Sequence, residues 1–294
     1  VASWQASTDF QGQLGIDTAN PITVRYDFQR ENLVCDENFI DTNGLRGTRS
    51  RDISRVRQGN RKVHGQIVFQ PTTLELSTLL PWILGGTPTG SGTVTYPLAD
   101  ALTSRYVNVD RVEKRFTYSG VVVNKATFRG SEGNPLELTL DLVGVDETVA
   151  STAFPSISLD TTTPPLIFTD LVLSVNSTTA QCKEFTLEID NAVDADRFFN
   201  SQTLTSGYAR DRHVNIDHPL PYGDQSALYN PGVAGVAVTA TFTDGSSVLE
   251  FSLAAVDYPR HSPYAGGRNE IMMPMRGTAY KSSGTLELVT TLHN

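Results

Sequence analysis

A chain of 294 residues with 39% hydrophobic and 19% charged side chains holds enough apolar surface for a packed core, which excludes disorder over most of its length. Thirteen Phe, ten Tyr and frequent Val, Ile and Thr favour strands over helices, because ring and β-branched side chains suit a pleated, half-buried surface. The formal charge of −9 argues against tight non-specific binding to nucleic acid, which needs Lys and Arg to displace phosphate counterions, and no apolar run nears the ~20 residues of a spanning helix.

The opening residues, Val1-Ala-Ser-Trp4, show no basic stretch followed by an apolar one, so no secretory signal is expected. The first alternation is Val24, Tyr26 and Phe28 against Arg25, Asp27 and Gln29, the period of a half-buried strand. Cys35 and the distant Cys182 are too few for a disulfide framework and read as two reduced thiols of a soluble protein. Next comes a basic segment: Arg46, Arg49, Arg51, Arg55, Arg57, Arg61 and Lys62, opposed only by Asp52. With Ile53 and Val56 its few apolar residues, it reads as an exposed loop, either merely solvated or docking an acidic face.

After Pro71, Leu76, Leu79, Leu80 and Ile83 give one buried face of a short helix near 72–84, with Pro81 kinking its last turn and Gly85-Gly86 ending it. The glycine-rich run 85–92 lacks the Lys-Ser/Thr of a phosphate loop and reads as a connector. Leu136, Leu138, Leu140 and Leu142 alternate with Glu137, Thr139 and Asp141, and Phe185, Leu187 and Ile189 with Thr186, Glu188 and Asp190. Between these strands lies Asp160-Thr-Thr-Thr-Pro-Pro165, a Pro/Thr stretch with no packing signal. The expected organisation is a first domain over 1–155, a linker over 156–165 and a second domain over 166–294.

Charge follows that division, with 15 basic against 17 acidic side chains before residue 152 and 8 against 15 after it. The halves also share an order of features. Val24–Phe28, Phe39, Gly47 and Arg51-Asp52 match Phe185–Ile189, Phe199, Gly207 and Arg210-Asp211 at a spacing of about 160 residues. The helix has only a shorter counterpart around 224–230.

Chemistry is thin. His213, His218 and Asp211 do not share a helical or same-face strand spacing for a metal. Asp190, Asp194 and Asp196 lack the glycine and terminal Glu of a calcium loop. Paired carboxylates for glycoside hydrolysis need distances that a sequence does not give, and of the two tryptophans a sugar might stack on, Trp82 falls on the helix. No catalytic, cofactor-binding or metal-binding residue is assigned, and no cofactor is expected.

The passage Arg57-Gln-Gly-Asn-Arg-Lys-Val-His-Gly-Gln-Ile-Val-Phe-Gln-Pro71, the Leu-rich helix through Leu84, and the strands Glu113–Val123 and Leu136–Leu142 resemble the tail tube proteins of long-tailed bacteriophages. The likeness covers most of 20–150 and, more weakly, 166–294, where the long helix and most of the basic loop are missing. It implies an all-β fold with one short helix, as two tandem β-sandwich or split-barrel domains. It further implies a non-enzymatic virion protein, assembled in the host cytoplasm, whose sheets join edge to edge into rings that stack as a tube for DNA. Three two-domain chains, or six, would close a ring. The implied partners are further copies, the tape measure, terminator and baseplate proteins, and DNA that passes without tight binding; no membrane is involved. On this likeness Arg46 to Lys62 would touch the next ring, and the polar faces with Asp27, Glu137, Asp141, Glu188, Asp190 and Glu287 would line the bore. A single-ring tail or baseplate protein and a carbohydrate-binding β-sandwich stand as alternatives.

Overall fold

The computed structural model describes residues 12–41, 44, 47–205, 207–225, 235–245, 247–263, 265, 268 and 270–293. The chain opens with β1 (Gln13–Asp17), β2 (Arg25–Tyr26), β3 (Arg30–Glu31), β4 (Val34–Ile40) and β5 (Arg57–Phe69). Helix α1 (Thr73–Leu84) leads to β6 (Thr89–Ser91), β7 (Thr93–Pro97), β8 (Arg105–Asp110), β9 (Arg115–Ser131), β10 (Glu137–Gly144) and β11 (Asp146–Ala150). Then come β12 (Leu171–Val175), β13 (Thr178–Ala180), β14 (Glu184–Asp190), β15 (Val193–Asp194), β16 (Tyr208–Ala209) and β17 (His213–Asp217). The chain closes through β18 (Leu220–Pro221), α2 (Tyr222–Gln225), β19 (Val236–Asp244), β20 (Ser247–Asp257), β21 (Met272–Met273), β22 (Arg276–Tyr280) and β23 (Val289–His293). The protein is all-β with one short helix, α1, and a single helical turn, α2, among the described residues.

Two strands organise the rest. The first part of β9 pairs with β8 and β11, and its second part with β10 and β14. β20 pairs with β19 along its length, and with β23 and β22 in turn on its other side. The ladder around β9 therefore runs β4–β5–β10–β9–β14–β17–β22, crossing from residues before the Pro/Thr stretch to residues after it. A second crossing pairs β7 with β23.

The same succession of pairings occurs twice. β1 with β2 and β8, β8 with β9, β9 with β10 and β11, and β5 with β10 and β4 form the first. β12 with β13 and β19, β19 with β20, β20 with β22 and β23, and β17 with β22 and β14 form the second. The alignment differs from the one read in the sequence. Val24–Phe28 surrounds β2, which holds the place of β13, whereas β14 holds the place of β3 and β4. Glu31 opposes Ile67 as Leu187 opposes Ile216, a spacing of 156 residues (187 less 31).

The core lies on one face of the long ladder. Ile67, Leu140, Ala126, Ile189, Val214 and Ala279 share a row there, all buried, because period-two alternation sends successive side chains to opposite faces. Phe128 packs on Phe251 of β20 at 4.9 Å between ring centres, and Phe185 on Phe242 of β19 at 5.9 Å. Burying such rings stabilises the fold by about 1.5–3 kcal/mol each.

Helix α1 begins with a capping box. The Thr72 hydroxyl accepts from the Glu75 N–H at 3.1 Å, and the Glu75 carboxylate accepts from the Thr72 N–H at 3.0 Å. Gly85 ends the helix in the left-handed region at φ 78°, where its N–H donates to Pro81 O and a Cβ would strike Ala101 O. The expected Leu76, Leu79, Leu80 and Ile83 face is fully buried, but so are Trp82 and Leu84. The helix lies against β9, β7 and β20, so more than one stripe of it is covered. Trp82 Nε1 donates to Val121 O at 3.0 Å, and the Asn191 amide reaches Ile83 O at 3.1 Å and Val123 O at 3.0 Å, tying the end of the helix to β9.

Candidate assembly surfaces

Opposite the core, the long ladder presents a polar face in three rows. Gln66, Asp141, Lys125, Asp190 and His213 form one; Thr139, Thr127, Glu188, Asn215 and Thr278 the next; Glu137, Arg129, Thr186, Asp217 and Arg276 the third. Four of the six carboxylates read as bore-facing, Glu137, Asp141, Glu188 and Asp190, come together here. Asp27 and Glu287 do not. Asp27 lies beyond the end of β2, its N–H donating to Glu75 Oε1 at 3.1 Å. Glu287 lies ahead of β23 and accepts from Arg212 Nε at 3.0 Å.

The sequence reading missed the cations on this face. Lys125 lies between Asp141 and Asp190 and reaches Glu188 Oε2 at 3.4 Å; Arg129 opposes Glu137; Arg276 opposes Asp217. Opposite charges directly across an antiparallel pair attract modestly, by about 0.2–1 kcal/mol. Burial raises the Asp217 carboxyl above its ordinary range, and Arg276 pulls the other way.

The second surface is the β4–β5 hairpin. The basic segment is not a single loop. Arg57, Arg61 and Lys62 lie on β5, paired across to Ile40, Glu37 and Asp36, so strand alternation governs them. Arg49, Arg51 and Arg55 sit around the tip, where Ile53–Arg55 makes a 3-10 turn; Arg46 lies outside the described residues. Arg61 Nη2 meets Asp146 Oδ2 at 2.9 Å and Lys62 Nζ meets Asp196 Oδ1 at 2.9 Å. Both are thus spent inside the chain. The Arg61 N–H also donates to Gln202 O at 2.7 Å, clamping the segment between β15 and β16 against the hairpin. Arg51 reaches Asp41 at 3.3 Å, while Arg49, Arg55 and Arg57 make no ion pair among the described residues. Beside them, Phe39 (68% exposed), Ile40 and Ile53 (87% exposed) present an apolar edge that sequence charge had masked. The clamped segment carries its own exposed aromatics, with Arg197 stacked between Phe199 and Tyr208 at 4.8 and 5.1 Å.

Other candidate groups separate. His213 is exposed on β17, whereas His218 is fully buried against Tyr258. Asp194 pairs with Arg210 and Asp196 with Lys62. Trp82 is buried and offers no platform for a sugar; Trp4 lies outside the described residues. Burial raises the Cys182 thiol to about 11 and that of Cys35 more weakly, so neither is an activated thiolate.

An antiparallel chain with a core on one sheet face, a polar face crossing both halves and an arginine-bearing hairpin belongs to the class of all-β proteins. A family model described as phage tail tube protein matches residues 35–283. The chain belongs to that family, whose members are structural components of the virion tail that self-assemble into its tube alongside other tail proteins. No curated relative matches it.

Proposed function

We propose that the chain is a tail tube subunit built of two tandem units, 1–155 and 166–294 joined by 156–165, and that three copies close a pseudo-sixfold ring. Rings assembled in the host cytoplasm stack into the hollow tube through which genomic DNA is ejected. One observation carries the ring count: the polar face runs as a single ladder through β10 and β9 of the first unit and β14, β17 and β22 of the second. With both units lining the bore, three chains supply the six units; a six-chain ring with one unit inside would break that ladder. The face then lines the bore. Lys125, Arg129 and Arg276 on it each stand opposite a carboxylate, so a phosphate competes with that carboxylate for the cation. The hairpin with Arg49, Arg51, Arg55 and Arg57 meets the acidic second unit of a chain in the next ring.

Electron microscopy of the concentrated purified chain tests this directly. Hollow tubes whose cross-section shows three repeats of a paired unit are expected. Isolated rings would favour a terminal-ring protein, and particles that stay monomeric would overturn the assembly altogether.

A further inference from the structure

We propose that copies of this chain join by repeating the β9–β14 junction, with residues 29–34 of one copy in the place of β14 and residues 257–263 of the next in the place of β9. This rests on the tube reading above and names the strand edges that make the ring.

The ladders align residue by residue. Asp141 opposes Gln66 and Lys125; Thr278 opposes Asn215 and Asp257. Asp257 therefore stands where Lys125 stands, the irregularity that β9 shows beside Asp141 and Leu142 having no counterpart between β20 and β22. From Lys125 onward β9 has β14 beside it. From Asp257 onward the second unit has no strand there among the described residues, since β19 begins at Val236, opposite Val256. At the other end of the chain, β3 and β4 pair with β5, and among the described residues no strand lies on their outer edge.

Backbone polarity supports the match. In the junction Asn191 N–H donates to Asn124 O at 2.8 Å and Glu132 N–H to Lys183 O at 3.2 Å. Antiparallel bonding alternates, so Ala126, Phe128 and Gly130 turn their backbone groups toward β14. Their counterparts are Tyr258, Arg260 and Ser262, each with an N–H to give. Pro259 and Pro263 fall at the alternate positions, whose N–H would point away, the placement at which an edge strand tolerates proline. Tyr258 is buried as Ala126 is, and its hydroxyl lies 3.2 Å from His218 Nε2, which fixes where the segment leaves the core. On the opposing edge Leu33 is already engaged, its N–H donating to Glu31 at 3.0 Å and its carbonyl accepting from Arg111 at 2.7 Å and Tyr118 at 2.9 Å, and Gln29 gives its N–H to Val68 O at 2.8 Å. The shared ladder therefore centres on Glu31, between these two.

Arg129 and Thr186 face each other in the junction, and their counterparts are His261 and Arg30, both exposed. The test is R30C with H261C in the full chain, in a background of Cys35→Ser and Cys182→Ser, oxidised after assembly. Most of the chain should run as disulfide-linked oligomers on a non-reducing gel, and neither single variant should cross-link. N32C with P259C, the counterpart of Glu188 facing Thr127, gives a second pair should the first variant fold poorly. Rings or tubes that form without either cross-link overturn this pairing and leave the tube reading intact. A parent chain that never assembles removes the tube reading and the pairing with it.

Discussion

His218 is a fully buried imidazole whose Nδ1 has no hydrogen-bond partner among the described residues, and burial alone pushes its pKa down to about 3. Folded, it stays neutral; unfolded, it takes a proton below about pH 6.5. The unfolded state therefore binds more protons as pH falls through that value, and stability is lost progressively from about 6.5 down toward 3. Between pH 6.5 and 5, where most carboxylates still hold their charge, this one group costs up to about 2 kcal/mol. Urea midpoints measured across that window should fall for the parent chain and fall less for His218→Asn; equal slopes would show that His218 is not the titrating group. Asn191 is a second buried polar residue with a specific task, since its one amide donates to both Ile83 O and Val123 O. Asn191→Ala leaves both carbonyls short of a donor and should cost about 2–3 kcal/mol, read as a lower urea midpoint at unchanged slope.

At the scale of the element, legibility in the sequence tracked how cleanly a segment alternates. The Leu76–Ile83 stripe announced α1 because four leucine-type residues at helical spacing have few other uses, while the Thr72–Glu75 box that caps its start is seen only in the structure. Trp82 and Leu84 could not be placed, because their burial comes from β9, β7 and β20 rather than from the helix itself. Glu137, Asp141, Glu188 and Asp190 were found because β10 and β14 alternate without interruption. Lys125 and Arg129 were missed because Asn124 breaks the alternation of β9 and slips its phase. The β4–β5 hairpin was hidden for a different reason. Its register is set by pairing with a partner strand, and a run of arginines gives no sign of that. Arg49, Arg51 and Arg55 reach solvent beyond the paired part of the hairpin, and replacing all three with Ala removes no contact on which the fold depends. On the proposed contact between rings, the triple variant should fold with parental stability, form rings, and give shorter tubes by electron microscopy. The parent's tube length should fall as salt is raised, since exposed charges are screened within about 8 Å at physiological ionic strength. Tubes of normal length in the variant would remove the hairpin from the axial contact.

For the whole molecule, the question is what the face proposed to line the bore does to a polyanion moving past it. The face is net negative but mixed: Glu137, Asp141, Glu188, Asp190 and Asp217 against Lys125, Arg129 and Arg276. Lys125, Arg129 and Arg276 each have a carboxylate across the ladder from them, and Lys125 also reaches Glu188, so a phosphate arriving there competes with a carboxylate for the cation. That arrangement holds DNA less than an all-cationic lining and repels it less than an all-acidic one. Changing Glu137, Asp141, Glu188 and Asp190 to Lys leaves the core rows untouched, because all four side chains point away from them, but converts the proposed lining into a continuous cationic track. Neutralising several phosphates at once strengthens retention steeply, by about 10³ or more in affinity for six or so contacts at low salt. Particles carrying the fourfold variant should have tails of normal number and length by microscopy, yet release their DNA more slowly when ejection is triggered in vitro, with the delay shrinking as salt rises. Normal ejection from tails of normal length would mean that this face does not line the bore, and the sheet would then have to meet the DNA by some other surface.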